Sequence, residues 1–482
     1  MSGQDAAGAG GITIVIIGGG FTGAAVAAHL VADGKLAAGA KVVVVEPRED
    51  LGQGLAYSTN DPAHRINVPA GKMTLFPARP DDFLNYLAEC STEVGDEGLI
   101  GRDGLPYPRR SVFGDYVAAR LRPLIAEGRI EHWRATIQTV RRDGQAYRLR
   151  AVDGSEIRAD FLVLAVSHPP PALPRVLAPL HGNGKLVTDV TVAGALAAIA
   201  AADRVLIIGN GLTAADVVAS LKRRGHYGHI TSISRRGLRS RGHGPAGREA
   251  LGDFVTEPAM TASGLLRRVR AGVREAEAKG LTWHCVLDAV RLQGQAVWAA
   301  LPMAERRRIA RHVRPFWDVH RFRIAPQVED VINDALSSRK LEILAASVAA
   351  VERTGSGFTV SLRQRHKRDR REITVDAIVV TTGPGHGGIL ESQDFLRDLS
   401  AAGLLQPCPT GLGIACNGDA HPISRSGKAV SDVLIAGPLA RGTWGELMGL
   451  PQVTEHAVFV ANRIRQILAH RFDHRAAVLR AS

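Results

Sequence analysis

The passage "ITIVIIGGGFTGAAVAAHL", residues 12–30, is echoed by "RVLIIGNGLTAADVVASL", residues 204–221. Each copy is an apolar, mostly β-branched run, then a glycine turn, then a run of small apolar residues. A β-branched run without alternation marks a strand buried on both faces of a parallel sheet. Small residues after a glycine turn suit a helix packed closely on that sheet. The repeat therefore predicts an α/β chain built from two related strand–turn–helix units.

The spacing of the turns says what they hold. In the first copy, Gly18 permits the tight turn, Gly20 lets backbone approach a pyrophosphate, and Gly23 lets helix and strand touch. The next strand, "KVVVVE", ends on Glu46, an acceptor suited to a ribose diol. The second copy has Gly209, Gly211 and Ala214 in the same frame. Its next strand ends on Ser234, Arg235 and Arg236 in place of an acid. An acid repels a 2′-phosphate, whereas a serine with two arginines binds one. The second unit is thus expected to take NADPH, unless the basic run is only a solvated loop. Two different nucleotides explain the repeat, with one held permanently and the other coming and going.

The echo continues beyond the turns. "ATIQTV", "AYRLRAV" and "SEIRADFLVLAVSHP" answer to "SVAAVE", "GFTVSLRQ" and "REITVDAIVVTTGPG". Both sets read as β-meanders that close on an aspartate, Asp160 or Asp376, before an apolar strand. The fold class expected is α/β, with two Rossmann-like dinucleotide-binding domains, β-meanders and a helical insertion. A chain of 482 residues has room for two or three domains. The boundaries expected are 12–169 for the first domain, 170–375 for the second with a helical insert at about 246–330, and 376–482 for the return to the first.

Composition narrows the setting. Hydrophobic residues make up 45% and charged residues 22%, as in a folded soluble protein. The apolar run at 12–32 is broken by glycines, so no membrane span is expected, and no basic segment precedes it to make a signal peptide. Cys90, Cys285, Cys408 and Cys416 form no CxxC pair and no zinc-like cluster, which suits free thiols in a cytoplasmic protein and leaves no metal site. A formal charge of +13 favours anionic partners. Aromatic residues are only 5%, which argues against the stacking platforms of a nucleic-acid-binding flavoprotein.

The stretches "EPREDLGQGLAYSTNDPAHRINVPAGKMTLFP", "PRRSVFGDYVAARL", "GNGLTAADVVASLKRRGH", "ISRRGLRSRGH" and "LPMAERRRIARHVRPFWDVHRFRIAP" resemble a bacterial FAD/NAD(P)-binding family. It lies among the flavoproteins with two dinucleotide-binding domains. The resemblance implies FAD at the first turn and NAD(P)H at the second. More distantly the chain is similar to class B flavin monooxygenases, including N-hydroxylases. "DFLVLAVSH" keeps Asp160, Leu164 and Ala165 of their Asp-x-x-x-Leu-Ala-Thr-Gly-Tyr stretch but has Val166, Ser167 and His168 where they have Thr-Gly-Tyr. In "SDVLIAGPLARGTWGELMG", Gly437 matches the glycine that related flavoproteins follow with an acid, here replaced by Pro438.

The resemblance leads to an FAD-dependent, NADPH-using oxidoreductase. With no cysteine pair to reduce, the favoured reading is a monooxygenase that uses dioxygen through a C4a-(hydro)peroxyflavin to hydroxylate or N-hydroxylate a small, anionic substrate. The alternative is a flavin dehydrogenase or oxidase without oxygen insertion. In the loop "DPAHRINVPAGKM", Arg65 and Asn67 either donate to flavin or substrate or hold the loop together. His168 either meets the nicotinamide or serves the proline-rich crossover that follows it.

Overall fold

In the computed structural model the first unit runs through β1 (Thr13–Ile17), α1 (Phe21–Val31), β2 (Lys41–Val45), α2 (Arg110–Ala126) and β3 (Glu131–Trp133). The meander β4 (Ile137–Asp143), β5 (Ala146–Ala151) and β6 (Glu156–Ala159) follows, then β7 (Phe161–Leu164). The second unit holds β8 (Leu186–Val187), β9 (Val205–Ile208), α3 (Leu212–Arg223) and β10 (Ile230–Ser234). A helical stretch comes next, with α4 (Ala262–Ala278), α5 (Trp283–Leu292), α6 (Gly294–Ala300), α7 (Met303–Arg308) and α8 (Arg314–Arg321). Helix α9 (Pro326–Ser337) leads to β11 (Leu341–Arg353), β12 (Phe358–Gln364), β13 (Arg370–Val375) and β14 (Ala377–Val380). The chain ends with β15 (Val433–Ile435), α10 (Arg441–Trp444) and α11 (Gln452–Ala481). The structure describes residues 11–481 except 35, 37, 38, 91–94, 97, 168, 170, 172, 356 and 384.

Two parallel sheets result. The first has the order β15-β7-β1-β2-β3, and the second has β13-β12-β11-β10-β9-β14-β8 with β12 and β13 antiparallel. Ile14, Val15 and Ile16 are fully buried, as an uninterrupted β-branched run requires when both faces of the sheet are covered. Each such side chain contributes roughly 1.5–3 kcal/mol on burial. The alanines of α1 let the helix lie close, and Ala457, Val460, Ala461 and Ile464 of α11 pack outside it.

The two closing aspartates do the same work in each unit. Asp160 accepts the Thr13 N–H at 2.8 Å, and Asp376 accepts the Arg204 N–H at 2.8 Å. Each carboxylate ties the strand of the meander's far side to the foot of the strand that carries the glycine turn.

Two boundaries differ from expectation. The return to the first unit is expected at residue 376, but β14 pairs in parallel with β9, so residues through Val380 belong to the second sheet. The helical insert is expected to reach 330, but α9 packs on α3 and feeds β11, which makes it the crossover helix of the second unit. The insert proper lies between β10 and α9. It reaches the first unit through the Trp298 Nε1–H donated to Gly442 O at 2.9 Å. Among the described residues no helix is long and apolar enough to cross a membrane.

Candidate functional site: two glycine turns

At the first turn, Gly18 has φ +101°, and a Cβ there would lie 2.7 Å from Ala165 O. A Cβ on Gly23 would fall 1.9 Å from Gly18 O, so the helix and the turn touch backbone to backbone. Gly52 N–H donates to Gly19 O at 2.7 Å, and a Cβ on Gly54 would sit 2.9 Å from Gly20 Cα. The loop after β2 is thereby laid along the turn. Helix α1 starts on Gly20 with no side-chain cap and no acid in its first turn. Its first N–H groups and dipole are left for an anion. Glu46, only 4% exposed, accepts from Gly19 N–H at 3.1 Å and from the Arg48 guanidinium at 2.8 Å.

The second turn repeats this geometry. Gly209 has φ +123°, and a Cβ there would be 2.4 Å from Thr381 O. Gly209 N–H donates to Ile233 O at 2.8 Å, as Gly18 N–H donates to Val45 O at 3.0 Å. Among the described residues, no atom beyond Gly211's chain neighbours lies within 4 Å of where a Gly211 Cβ would stand, and α3 also starts uncapped and without an acid. Ser232 Oγ bonds Gly209 O at 3.1 Å and Asn210 Oδ1 at 3.2 Å, while Asn210 Nδ2 donates to Leu238 O at 2.9 Å. Sequence reasoning passes over Asn210 and Ser232, because neither belongs to the glycine spacing. Ser234 is half-buried, Arg235 is exposed, and the Arg236 guanidinium lies 5.3 Å from the Phe316 ring centre. Both turns fit a dinucleotide: each offers uncapped N–H groups and a cradle that a side chain would fill.

The units meet across the loop that carries the two candidate residues. Arg110 pairs with Asp216 of α3 at 2.8 Å, and His64 Nε2 lies 3.1 Å from Ser220 Oγ. Arg65 holds Asp96 with two bonds of 2.8 and 2.7 Å and donates a third to Tyr107 O at 2.9 Å. Burial works to raise the Asp96 carboxyl, but Arg65 and Arg109 hold it below the usual carboxylate range. Arg65 thus fastens the loop to Asp96 and Tyr107. Asn67 sits at the seam between the units, its carbonyl 3.2 Å from His243 Nε2, and no described residue bonds its side-chain amide. Burial, helped by Arg323, pushes His243 down to about 4, so it is neutral there. His168 lies outside the described residues.

Residues 15–169 match the FAD-NAD(P)-binding family. Comparison with curated protein sequences yields no match. Among solved structures, the chain is similar to ornithine hydroxylase from Pseudomonas aeruginosa, with TM-score 0.65, 16% identity, and coverage of 95% of this chain and 100% of that one. It is similar to L-lysine 6-monooxygenase from Pseudomonas syringae at TM-score 0.60, 19% identity, and coverage of 95% and 99%. The ornithine N-hydroxylase of Kutzneria sp. 744 gives TM-score 0.62, 15% identity, and coverage of 95% and 99%. The fold is that of the flavoproteins with two dinucleotide-binding domains.

The far end of the chain packs against the segment that matches the FAD-NAD(P)-binding family. Gly437, at φ +63°, packs on the first turn of α1, where a Cβ would lie 2.6 Å from Thr22 Oγ1. Its N–H donates to His456 Nδ1 at 3.1 Å. Burial pushes His456 down to about 3. The ring is therefore neutral, and its proton is assigned to Nε2 because Nδ1 accepts. The Trp444 ring stands edge-on to it at 4.5 Å. His456 carries no signal in the sequence, since it lies in an ordinary helical pattern.

Proposed function

We propose that the chain is an FAD- and NADPH-dependent oxidoreductase, a flavin monooxygenase that hydroxylates a small substrate at carbon or nitrogen. One observation carries the reading. Two uncapped, glycine-headed helices stand at the ends of two separate parallel sheets, and the next strand ends on buried Glu46 in one and on Ser234, Arg235 and Arg236 in the other.

FAD fits the first turn. The α1 N–H groups would receive its pyrophosphate, Glu46 its ribose hydroxyls, and Gly437 the close approach beside Thr22. When bound, FAD supplies a hydride acceptor and a centre that reacts with dioxygen. The protein positions and desolvates. NADPH fits the second turn, with its pyrophosphate at α3 and its 2′-phosphate against Ser234, Arg235 and Arg236. Arg236 Nε is buried without a partner among the described residues, which leaves it a donor to give. The ornithine and lysine hydroxylases of the same fold support oxygen insertion. Cys285, Cys408 and Cys416 are buried while Cys90 is part-exposed, and burial pushes the Cys416 thiol up to about 12. A thiol held protonated is the opposite of a redox nucleophile.

The test is direct. The purified protein is examined for a flavin spectrum, reduced without oxygen by NADPH and by NADH, and then mixed with air over a panel of amines and acids. The reading expects NADPH to reduce faster and one substrate to be hydroxylated. A colourless protein that FAD cannot reconstitute ends the flavoprotein reading. Hydrogen peroxide equal to the NADPH consumed, for every substrate, ends the monooxygenase reading in favour of an oxidase.

A further inference from the structure

Where the helical insert meets the first unit, four guanidiniums surround two carboxylates. Arg321 is 6% exposed, Arg441 is 3% and Glu446 is 8%. Arg321 Nε donates to Glu446 Oε1 at 2.8 Å, and Arg314 Nε donates to Asp318 Oδ2 at 3.1 Å. Arg441 shares Asp318 at a looser 3.6 Å. Among the described residues Arg291 reaches no acid; it donates to the Leu450 carbonyl at 2.5 Å and to Gln452 Oε1 at 2.9 Å. The neighbouring Arg323 is matched by its own acid, Asp288, at 2.7 Å. Among the described residues, Arg321, Arg441 and Arg291 outnumber the two acids beside them, Glu446 and Asp318, and Asp318 is shared with Arg314. Burial lowers Arg441, and burial with Arg321 nearby pushes Arg291 down to about 9, as expected where positive charge is crowded and dry.

The donors are as uneven as the charges. Arg321 Nη2 and Arg441 Nη1 are buried with no partner among the described residues. Buried guanidinium N–H groups are costly to leave unbonded. They come from different segments, Arg321 from the insert and Arg441 from the turn that begins at Gly437. Because Gly437 packs against Thr22, the cluster is tied through this short turn to the first nucleotide site.

We propose that Arg321 and Arg441 anchor the carboxylate of the substrate. This rests on the reading that a small substrate is oxidised beside the first nucleotide, and it names the class: an organic acid or amino acid carrying a free carboxylate. A carboxylate offers two oxygens, one for each of the two unpartnered guanidinium donors. The ligand also neutralises part of the excess charge and joins the insert to the first unit.

The full-length protein is titrated calorimetrically with sodium propionate, with chloride at matched ionic strength and with inorganic phosphate as the comparisons. Saturable propionate binding is expected, weakened at least tenfold in Arg321→Lys and Arg441→Lys, which keep charge but lose the fork. Gly449→Val provides a variant that leaves every charge in place. A Cβ at Gly449 would lie 3.5 Å from Arg321 Nη2, and the bulk beyond it is expected to weaken binding likewise. Circular dichroism confirms that each variant is folded. No propionate binding above chloride, preference for phosphate, or wild-type affinity in folded variants overturns the assignment. Calorimetry needs no flavin, so loss of the flavoprotein reading and loss of this one are separately visible.

Discussion

Replacing Gly211 by alanine separates a turn that merely folds from a turn that holds a nucleotide. The residue has φ −92°, an ordinary value, and a Cβ there meets no atom of the described residues beyond its chain neighbours within 4 Å. Alanine removes unfolded-chain freedom worth ~0.4–1 kcal/mol. At a helix start it is less favourable than glycine by a comparable few tenths to ~1 kcal/mol. The two offset, and the stability of the folded protein should move by less than ~0.5 kcal/mol. The new methyl instead enters the space through which a pyrophosphate would approach backbone. Overpacking of that kind costs ~1–3 kcal/mol, which is ~5- to ~150-fold in affinity. The assay is anaerobic flavin reduction at graded NADPH, with flavin content and urea denaturation alongside. Flavin content and stability should hold while the NADPH requirement rises. Wild-type NADPH dependence in Gly211→Ala would refute the cradle. Gly209→Ala is the contrasting case: at φ +123° with a Cβ 2.4 Å from Thr381 O, it should lose stability as well.

Glu46→Gln should weaken FAD by ~10- to ~150-fold, from ~1.5–3 kcal/mol of charged hydrogen bonding, and dialysis against bromide followed by flavin fluorescence reads it. Reversing both Arg235 and Arg236 to glutamate should cut the preference for NADPH over NADH at least ~10-fold, measured as the ratio of kcat/KM values; an unchanged ratio would mean the basic loop is only solvated. His456 falls from an ordinary 6.5 to about 3, so its folded value is the lower one. The stability it contributes is complete above pH 6.5 and is lost as pH falls towards 3, by ~2 kcal/mol at pH 5 and at most ~5 kcal/mol. Urea midpoints between pH 7.5 and 5 should fall more steeply in the parent than in His456→Gln.

Much of the fold is legible because it is written locally. Gly18 and Gly209 announce their turns within a few residues, and Asp160 and Asp376 signal the repeat before their matching bonds to Thr13 and Arg204 are seen. The second boundary is not local. "DAIVV" at 376–380 reads as a strand of either unit, and only pairing with β9 decides. The same holds for α9, whose amphipathic pattern is shared with the insert helices and whose contact with α3 makes it a crossover. Arg65 is ambiguous in sequence because its partner, Asp96, is 31 residues away. The cluster around Arg321 and Arg441 is less legible still, since Glu446 is 125 residues from Arg321. Charge composition hints that basic groups exceed acids, but not that the surplus is hidden between insert and first unit.

The sheet orders carry an evolutionary consequence. In the first sheet, β7 and β15 lie side by side, and these are the strands where the chain departs for the second unit and comes back. In the second sheet, β8 and β14, its opening and closing parallel strands, are also neighbours. Departure and return therefore share one seam on each module. A duplicated cassette can be spliced through such a seam without breaking any hydrogen-bonded ladder of its host, which makes an ancestral duplication followed by nesting a topologically inexpensive origin for the two-site chain.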